Sequence, residues 1–345
     1  MHYVALFVAA TAALLGANAA QAPQHWKDLV KQYQDNTLKQ LPQGNCTKKN
    51  IVTRPEWGDL SDKQHRKYIE AVKCLHKKPS IIGADKAPGA RSRYDDFQAA
   101  HIINTPLIHA TGSFFAWHRW FLYLWDKALD EECGYSGSQP YWDWSKYVDL
   151  PFKSNPLIDG SETSISSNGR YIPGRNGTLQ TLPVPDSSSI PGIFTPPGTG
   201  GGYIYEGPFV NWTQHLGPYY NQTVTNGIKV KPNPGPNALG YNPRPIIRDF
   251  NNTLLLQLNT YDAVVQLIEN NTSIHGFQPS FFGGAHLEAH SFISGVDNDL
   301  FTSPGDPLFW FHHAQVDRIW AIWQSADYAT REAELDGTIT LTNGK

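Results

Sequence analysis

Between Asp306 and Trp320 the chain reads DPLFWFHHAQVDRIW, an apolar, aromatic-rich helical pattern that carries two adjacent histidines. A lone buried imidazole satisfies its two ring nitrogens with a carbonyl and a hydroxyl. A pair flanked by aromatic rings demands more, so this segment restricts the fold to one that brings further partners to the same point. Pro307 suits a first helical turn and sets the start of this helix just ahead of the pair.

Partners are present, because six of the 13 histidines fall into two groups of three. His101 ends the helical stretch RYDDFQAAHII, His109 follows in a loop, and His118 comes early in the helical stretch FFAWHRWFLYLWDKALDEECG, which Gly134 stops. A tight helical hairpin would turn all three inward. The second group is His286, His290 and one of His312 or His313. His286 and His290 lie four apart in GGAHLEAHSF, and on a helix that spacing stacks both rings on one face, as a metal ion requires. The stretch HLEAH departs from the zinc-protease pattern HExxH, since Leu287 follows the first histidine and Glu288 arrives one residue late. Two triads of neutral imidazoles suit copper, iron or zinc. Six imidazoles without a carboxylate favour a copper pair cycling between its two oxidation states.

With 345 residues, 40% of them hydrophobic and 12% aromatic, the chain has ample material for a sizeable core. A net charge of -3 with no basic stripe argues against nucleic acid as a partner and for a small neutral ligand. Residues 1–19 combine an apolar run with small residues at Ala17 and Ala19, the pattern of a signal peptide cut near Ala19, and the run is too short to span a membrane. Secretion is therefore expected. Sequons at Asn45, Asn176, Asn211, Asn221, Asn251, Asn270 and Asn271 agree with a secreted glycoprotein. Cys46, Cys74 and Cys133 are an odd set for an oxidising compartment. If CTKKNIVTR is extended and LSDKQHRKYIEAVKCL is a helix folding back on it, about eight residues of strand match about fourteen of helix. That geometry pairs Cys46 with Cys74.

Helical patterns recur along the chain. Ser61 is a candidate N-cap for a surface helix over residues 60–75, and the Asn104–Pro106 breaker is expected to end RYDDFQAAHII. From about 151 to 245 the composition shifts to Gly, Pro, Ser and Asn without a period of 2 or 3.6, the mark of an ordered loop-rich insertion. Helix returns in RDFNNTLLLQLNTYDAVVQLIEN and in the paired-histidine segment. The expectation is one mainly α domain over residues 20–345, with long irregular loops and little β.

The stretches ARSRYDDFQAAHIINTPLIHATGSFFAWHRWFLYLWDKAL, YWDW and SPGDPLFWFHHAQVDRIW resemble the copper-binding signatures of the tyrosinase and catechol oxidase family, in its short secreted fungal branch. The resemblance runs from about Cys46 to Gln324 and implies a four-helix bundle around a type-3 dicopper centre. It places His101, His109 and His118 on the first copper and His286, His290 and His313 on the second. His312 is then a neighbour of the centre, since adjacent helical residues point about 100° apart. Asp317, one turn beyond His313, either accepts from a ligand imidazole or pairs with Arg119. Phe114, Phe115, Trp117, Phe309 and Phe311 are expected around the centre, as core or as walls for an aromatic ring.

The resemblance implies a copper oxidoreductase that uses O2 to oxidise o-diphenols to o-quinones, with a small phenol as its partner. Departures refine that expectation. Leu107 stands where some relatives carry a cysteine bonded to the histidine of His109, so no thioether is expected. Leu287 stands where many monophenol-hydroxylating relatives carry Asn, which favours catechol oxidation unless Gln278, Glu288 or Ser291 takes that role. Tyr203 stands where several fungal relatives carry Cys, and loss of a Cys133 partner there would account for the odd cysteine count. The chain stops at TLTNGK without the C-terminal lid of some relatives, which leaves open a constitutively open site or a longer protein. Rival readings are a pathway-specific oxidase that tailors or cyclises a metabolite or peptide, an oxygen carrier, and a copper-free binding module that keeps only the fold.

Overall fold

The computed structural model describes residues 20–41, 47–180, 193–219, 228 and 230–341. The expected signal peptide (residues 1–19), Cys46, Asn45 and Asn221 lie outside these. The helices in chain order are α1 (Gln24–Gln40), α2 (Asp62–Lys77), α3 (Arg93–Ile108), α4 (Phe114–Cys133), α5 (Trp144–Tyr147), α6 (Asn252–Leu258), α7 (Tyr261–Asn270), α8 (Ile274–Phe281), α9 (Leu287–Ile293), α10 (Leu308–Ala326) and α11 (Tyr328–Arg331). α3, α4, α9 and α10 form a four-helix bundle. α2 packs on α3 and α4, and α1 lies along the outside of α10.

Large aromatic side chains hold the bundle together. Trp125 of α4 and Trp310 of α10 stack at 3.9 Å, and Phe97 of α3 meets both rings edge-on. The indole Nε1 of Trp310 donates to the hydroxyl of Tyr94, which donates to the carbonyl of Pro304. Three helices thus share one fully buried junction, and the polar tips of its rings are paired within it. α1 carried no expectation, although Trp26, Val30 and Tyr33 follow a helical period. Its Trp26 ring lies under the Arg318 guanidinium.

Helix boundaries follow local chemistry. Ser61 and Gln64 form a capping box at the start of α2, and Ser92 and Asp95 do so for α3. Gly134 ends α4 with φ +70, the left-handed conformation that glycine takes freely. The Asn104–Pro106 stop is corrected, because α3 continues through Pro106 to Ile108. Proline forfeits one hydrogen bond there. Burial of His101, Thr105 and Ile108 on one face outweighs that loss, and the Thr105 hydroxyl donates to the His101 carbonyl.

The loop-rich insertion is ordered where it is described. It holds three two-stranded antiparallel sheets, pairing β1 (Gly169–Tyr171) with β4 (Gly201–Ile204), β2 (Thr178–Gln180) with β3 (Ile193–Thr195), and β5 (Thr213–Gln214) with β6 (Arg244–Pro245). Arg248 fastens it to the bundle. This fully buried guanidinium holds Asp306 with two 2.8 Å hydrogen bonds and donates to the carbonyls of Ile165, Ser166 and Ser167. Asp306 in turn accepts from the Leu308 backbone at the head of α10.

The disulfide expectation is overturned, because Cys74 bonds Cys133, with Cα atoms 6.0 Å apart. α2 packs against α4 along its length, and this brings the last turns of the two helices together. Matching the lengths of a strand and a helix cannot register that packing. Cys133 therefore needs no partner at position 203. The bond closes a loop of 59 residues. Replacing Cys133 by Ser should lower the unfolding free energy by about 2–4 kcal/mol, measured by denaturant titration, and an unchanged midpoint would contradict the bond.

Candidate metal centre

The bundle delivers the six expected histidines to one place as two triads, and each ring but that of His313 is held by its Nδ1. On the first triad, His101 Nδ1 donates to the Phe301 carbonyl at 2.9 Å, His109 Nδ1 to Thr105 at 3.2 Å and His118 Nδ1 to Phe114 at 2.7 Å. A carbonyl only accepts, so each of these rings carries its proton on Nδ1 and presents a lone pair at Nε2. The Nε2 atoms of His101 and His118 are buried with no hydrogen-bond partner. Possible donor atoms of the three rings lie within 4.8 Å of one another.

The second triad is tighter. His286 Nδ1 donates to the Phe282 carbonyl at 3.1 Å, and His290 Nδ1 meets the Asp297 carboxylate at 2.9 Å. His290 Nε2 then lies 3.2 Å from His286 Nε2 and 3.3 Å from His313 Nε2. Lone pairs aimed at one point repel unless a cation lies between them. Nitrogen donors bonded to one ion at about 2.0 Å are roughly 3.3 Å apart at tetrahedral angles. These residues accordingly suit an imidazole-bound transition metal. His118 and His313 stack at 4.5 Å, which sets the two triads face to face.

Local backbone makes this register. His109 caps α3, and Ala110 beyond it turns with φ +49. A π-helical turn over Phe282–His286 precedes α9, and the non-helical Gly284 inside it resets the phase so that His286 and His290 share the inner face. His312 also falls within the second cluster, its ring 4.3 Å from that of His290. It leans on Trp144, whereas His313 reaches the other triad.

The remaining expectations divide. Asp317 binds Arg119 at 2.5 Å, so the ion-pair alternative holds, and Arg119 also lies over the Trp320 ring. Gln278 donates to the Thr111 and Asp336 carbonyls, Ser291 to Asn298, and Glu288 accepts from the Leu258 backbone. All three groups that were candidates to replace Asn beside His286 are thus engaged elsewhere. Phe114 and Phe309 touch ligand rings, whereas Phe115 stacks on Trp320 and Phe311 packs on Trp57, as core. His65, outside both clusters, is buried against Trp57. Asp297 sits in a turn seven residues past His290, where no periodic pattern marks an inward residue.

Burial is the largest cause of the low pKa of every one of these seven rings, the six and His312. It takes His101 and His290 down to about 3, and His109, His118, His286, His312 and His313 well below the usual value of 6.5. All are neutral at physiological pH, as metal ligands must be. Between pH 6.5 and about 3 the unfolded chain binds protons that the folded, metal-free chain refuses. The metal-free protein should therefore hold a steady melting temperature above neutrality and lose it progressively from about pH 6 to pH 4. Thermal melts across that range check this, and a flat profile would count against neutral buried triads.

A helical bundle with two facing imidazole triads and no ligand carboxylate defines a type-3 dicopper oxidoreductase centre, with O2 as its co-substrate. The common central domain of tyrosinase matches residues 91–326, and the chain belongs to the tyrosinase family. It is 60% identical over 341 residues to the tyrosinase-like protein orsC of Emericella nidulans, covering 98% of this chain and 92% of that one. It is 35% identical to the N-acetyl-6-hydroxytryptophan oxidase ivoB of the same organism, over 86% of this chain and 83% of the other. The solved structure of a single-site mutant of the polyphenol oxidase from Thermothelomyces thermophila superposes with a TM-score of 0.78 at 39% identity, covering 88% of this chain and 80% of that one.

Proposed function

We propose that His101, His109 and His118 hold one copper, that His286, His290 and His313 hold the other, and that the enzyme uses O2 to oxidise o-diphenols to o-quinones. The observation that carries this is the convergence of Nε2 lone pairs from buried, neutral rings, five of them tethered at Nδ1. When bound, the copper pair supplies paired one-electron steps that couple oxidation of a phenol to reduction of O2. The chain's own residues fix the rings and build the surroundings. Phe282 stacks on His286 and also approaches His109, so its half-buried ring bridges the two triads near the surface. A phenol ring enters beside it. Leu287, half-buried next to His286, offers no hydrogen-bonding group to orient a water, and this favours catechols over monophenols.

A second reading narrows the substrate. One relative is by name an oxidase of a hydroxylated tryptophan derivative. This supports a pathway oxidase acting on one phenolic metabolite. The signal-like composition of residues 1–19 supports secretion, and the exposed sequons at Asn176, Asn211 and Asn270 are then the sites of choice for glycans.

Oxygen uptake by the copper-loaded protein tests the reading. A catechol should be consumed and its monophenol turned over at least about tenfold more slowly, a difference of about 1.4 kcal/mol in barrier. Oxygen uptake with neither, alongside a metabolite lost on gene deletion, would favour the narrow pathway substrate. Leu287→Asn should raise the monophenol-to-diphenol rate ratio, and no change would remove Leu287 from the account. His118→Ala should abolish turnover and leave about one copper per chain, read by metal analysis.

A further inference from the structure

Among the six proposed ligands His290 alone is hydrogen-bonded to a charged side chain among the described residues. His101, His109, His118 and His286 are tethered to backbone carbonyls, and His313 Nδ1 is buried without a partner. His290 Nδ1 meets Asp297 Oδ2 at 2.9 Å.

Asp297 is placed there at some cost. The chain leaves α9 through Ser294 with φ +58 and Gly295 with φ +56, and a Cβ on Gly295 would come within 1.9 Å of the Ile247 carbonyl oxygen. Only glycine fits at that second position. Asp297 is 1% exposed, and its second oxygen, Oδ1, has no hydrogen-bond partner. Arg248 is the nearby cation, but both arms of its fork are occupied by Asp306 and by the carbonyls of the insertion. The guanidinium is thus spent on Asp306, and the ionised form of Asp297 has no cation of its own in a dry region. A metal ion held by His286, His290 and His313 would place a balancing cation on the far side of the His290 ring.

We propose that Asp297 is a positioning residue that fixes His290 as a ligand and supplies the compensating charge for the copper on His286, His290 and His313 alone. The pair is thereby built unequal, and the copper on His101, His109 and His118 leaves first. This rests on the ligand assignment proposed above. A carboxylate behind an imidazole raises its donor strength, and losing such a partner costs about 10–100-fold in metal affinity.

The test follows copper release from the full-length, copper-loaded protein into excess chelator, with total copper measured first. Wild type should hold two coppers and lose them in two phases of equal amplitude, the slower at least about tenfold slower. His118→Ala, stripped of the first site, should show the slow phase only. Asp297→Asn keeps a hydrogen-bond acceptor but removes the charge. It should speed the slow phase about 10–100-fold and leave the fast one unchanged, while Asp297→Glu restores part of the difference. The oxidised one-copper intermediate of wild type should give the paramagnetic signal of an isolated Cu(II), identical to that of His118→Ala. A single phase in wild type, or equal acceleration of both phases in Asp297→Asn, would overturn the proposal. Fewer than two coppers in wild type would overturn the ligand assignment itself. If Asp297→Asn fails to fold, the release order in wild type and His118→Ala still decides whether the pair is unequal.

Discussion

The Nδ1 tether is the constraint on which the centre depends. An untethered imidazole can carry its proton on either nitrogen and rotate about its bond to Cβ, and a metal binds only the deprotonated nitrogen. Here three ring protons are committed to carbonyls one helical turn back, at Phe114, Thr105 and Phe282. The helix itself thus selects the tautomer. The carbonyls of Thr105 and Phe282 lie in the last turn of α3 and at the kink before α9, where a backbone acceptor is free for a side chain, whereas that of Phe114 opens α4 and takes the imidazole proton on its second lone pair. The irregularities of the bundle, the cap at His109 and the π-turn before His286, are where these two rings are turned toward the clusters.

Around this, packing and charge divide the labour. The stacked Trp125 and Trp310 join α3, α4 and α10 without sacrificing a polar group, and they hold the helices that bear His101, His118 and His313 at fixed spacing. The Arg248–Asp306 pair ties the insertion to the head of α10. Breaking such a buried pair costs about 3–5 kcal/mol, because the surviving charge is stranded. The insertion is in this sense a structural part of the metal-bearing core. Thr195 of β3 illustrates it, since its hydroxyl accepts from Asn298, which accepts from Ser291 beside His290.

Much of the site was legible because metal ligation leaves a spacing. His286 and His290 at four residues, and a doubled histidine in an apolar helix, are departures from ordinary core composition that chemistry must explain. What escaped the sequence lies in long-range geometry. The Cys74–Cys133 bond depends on how two helices dock, and local chain lengths were consistent with another partner. Pro106 reads as a stop because its cost is local, whereas the burial that overrides it is tertiary. Asp297 and Arg248 lie in irregular segments where no period marks an inward residue. α1 had a readable stripe at Trp26, Val30 and Tyr33, but a polar background masked it.

The first triad spans only His101 to His118, yet it is not a local structure. The tether of His101 is the carbonyl of Phe301, 200 residues later, and the loop holding His109 is clasped from outside by Thr338, which accepts from the Gly112 amide at 2.9 Å and donates to the Ala110 carbonyl at 3.0 Å. Leu341 closes the clasp on the Pro106 carbonyl at 2.7 Å. A nascent chain that has already emerged past His118 therefore still lacks the acceptor that orients its first ligand. The three rings nearest each other in the sequence are therefore aimed only when segments some 200 residues further along have docked on α3 and its loop, so this triad is a product of the whole fold and not of its own hairpin.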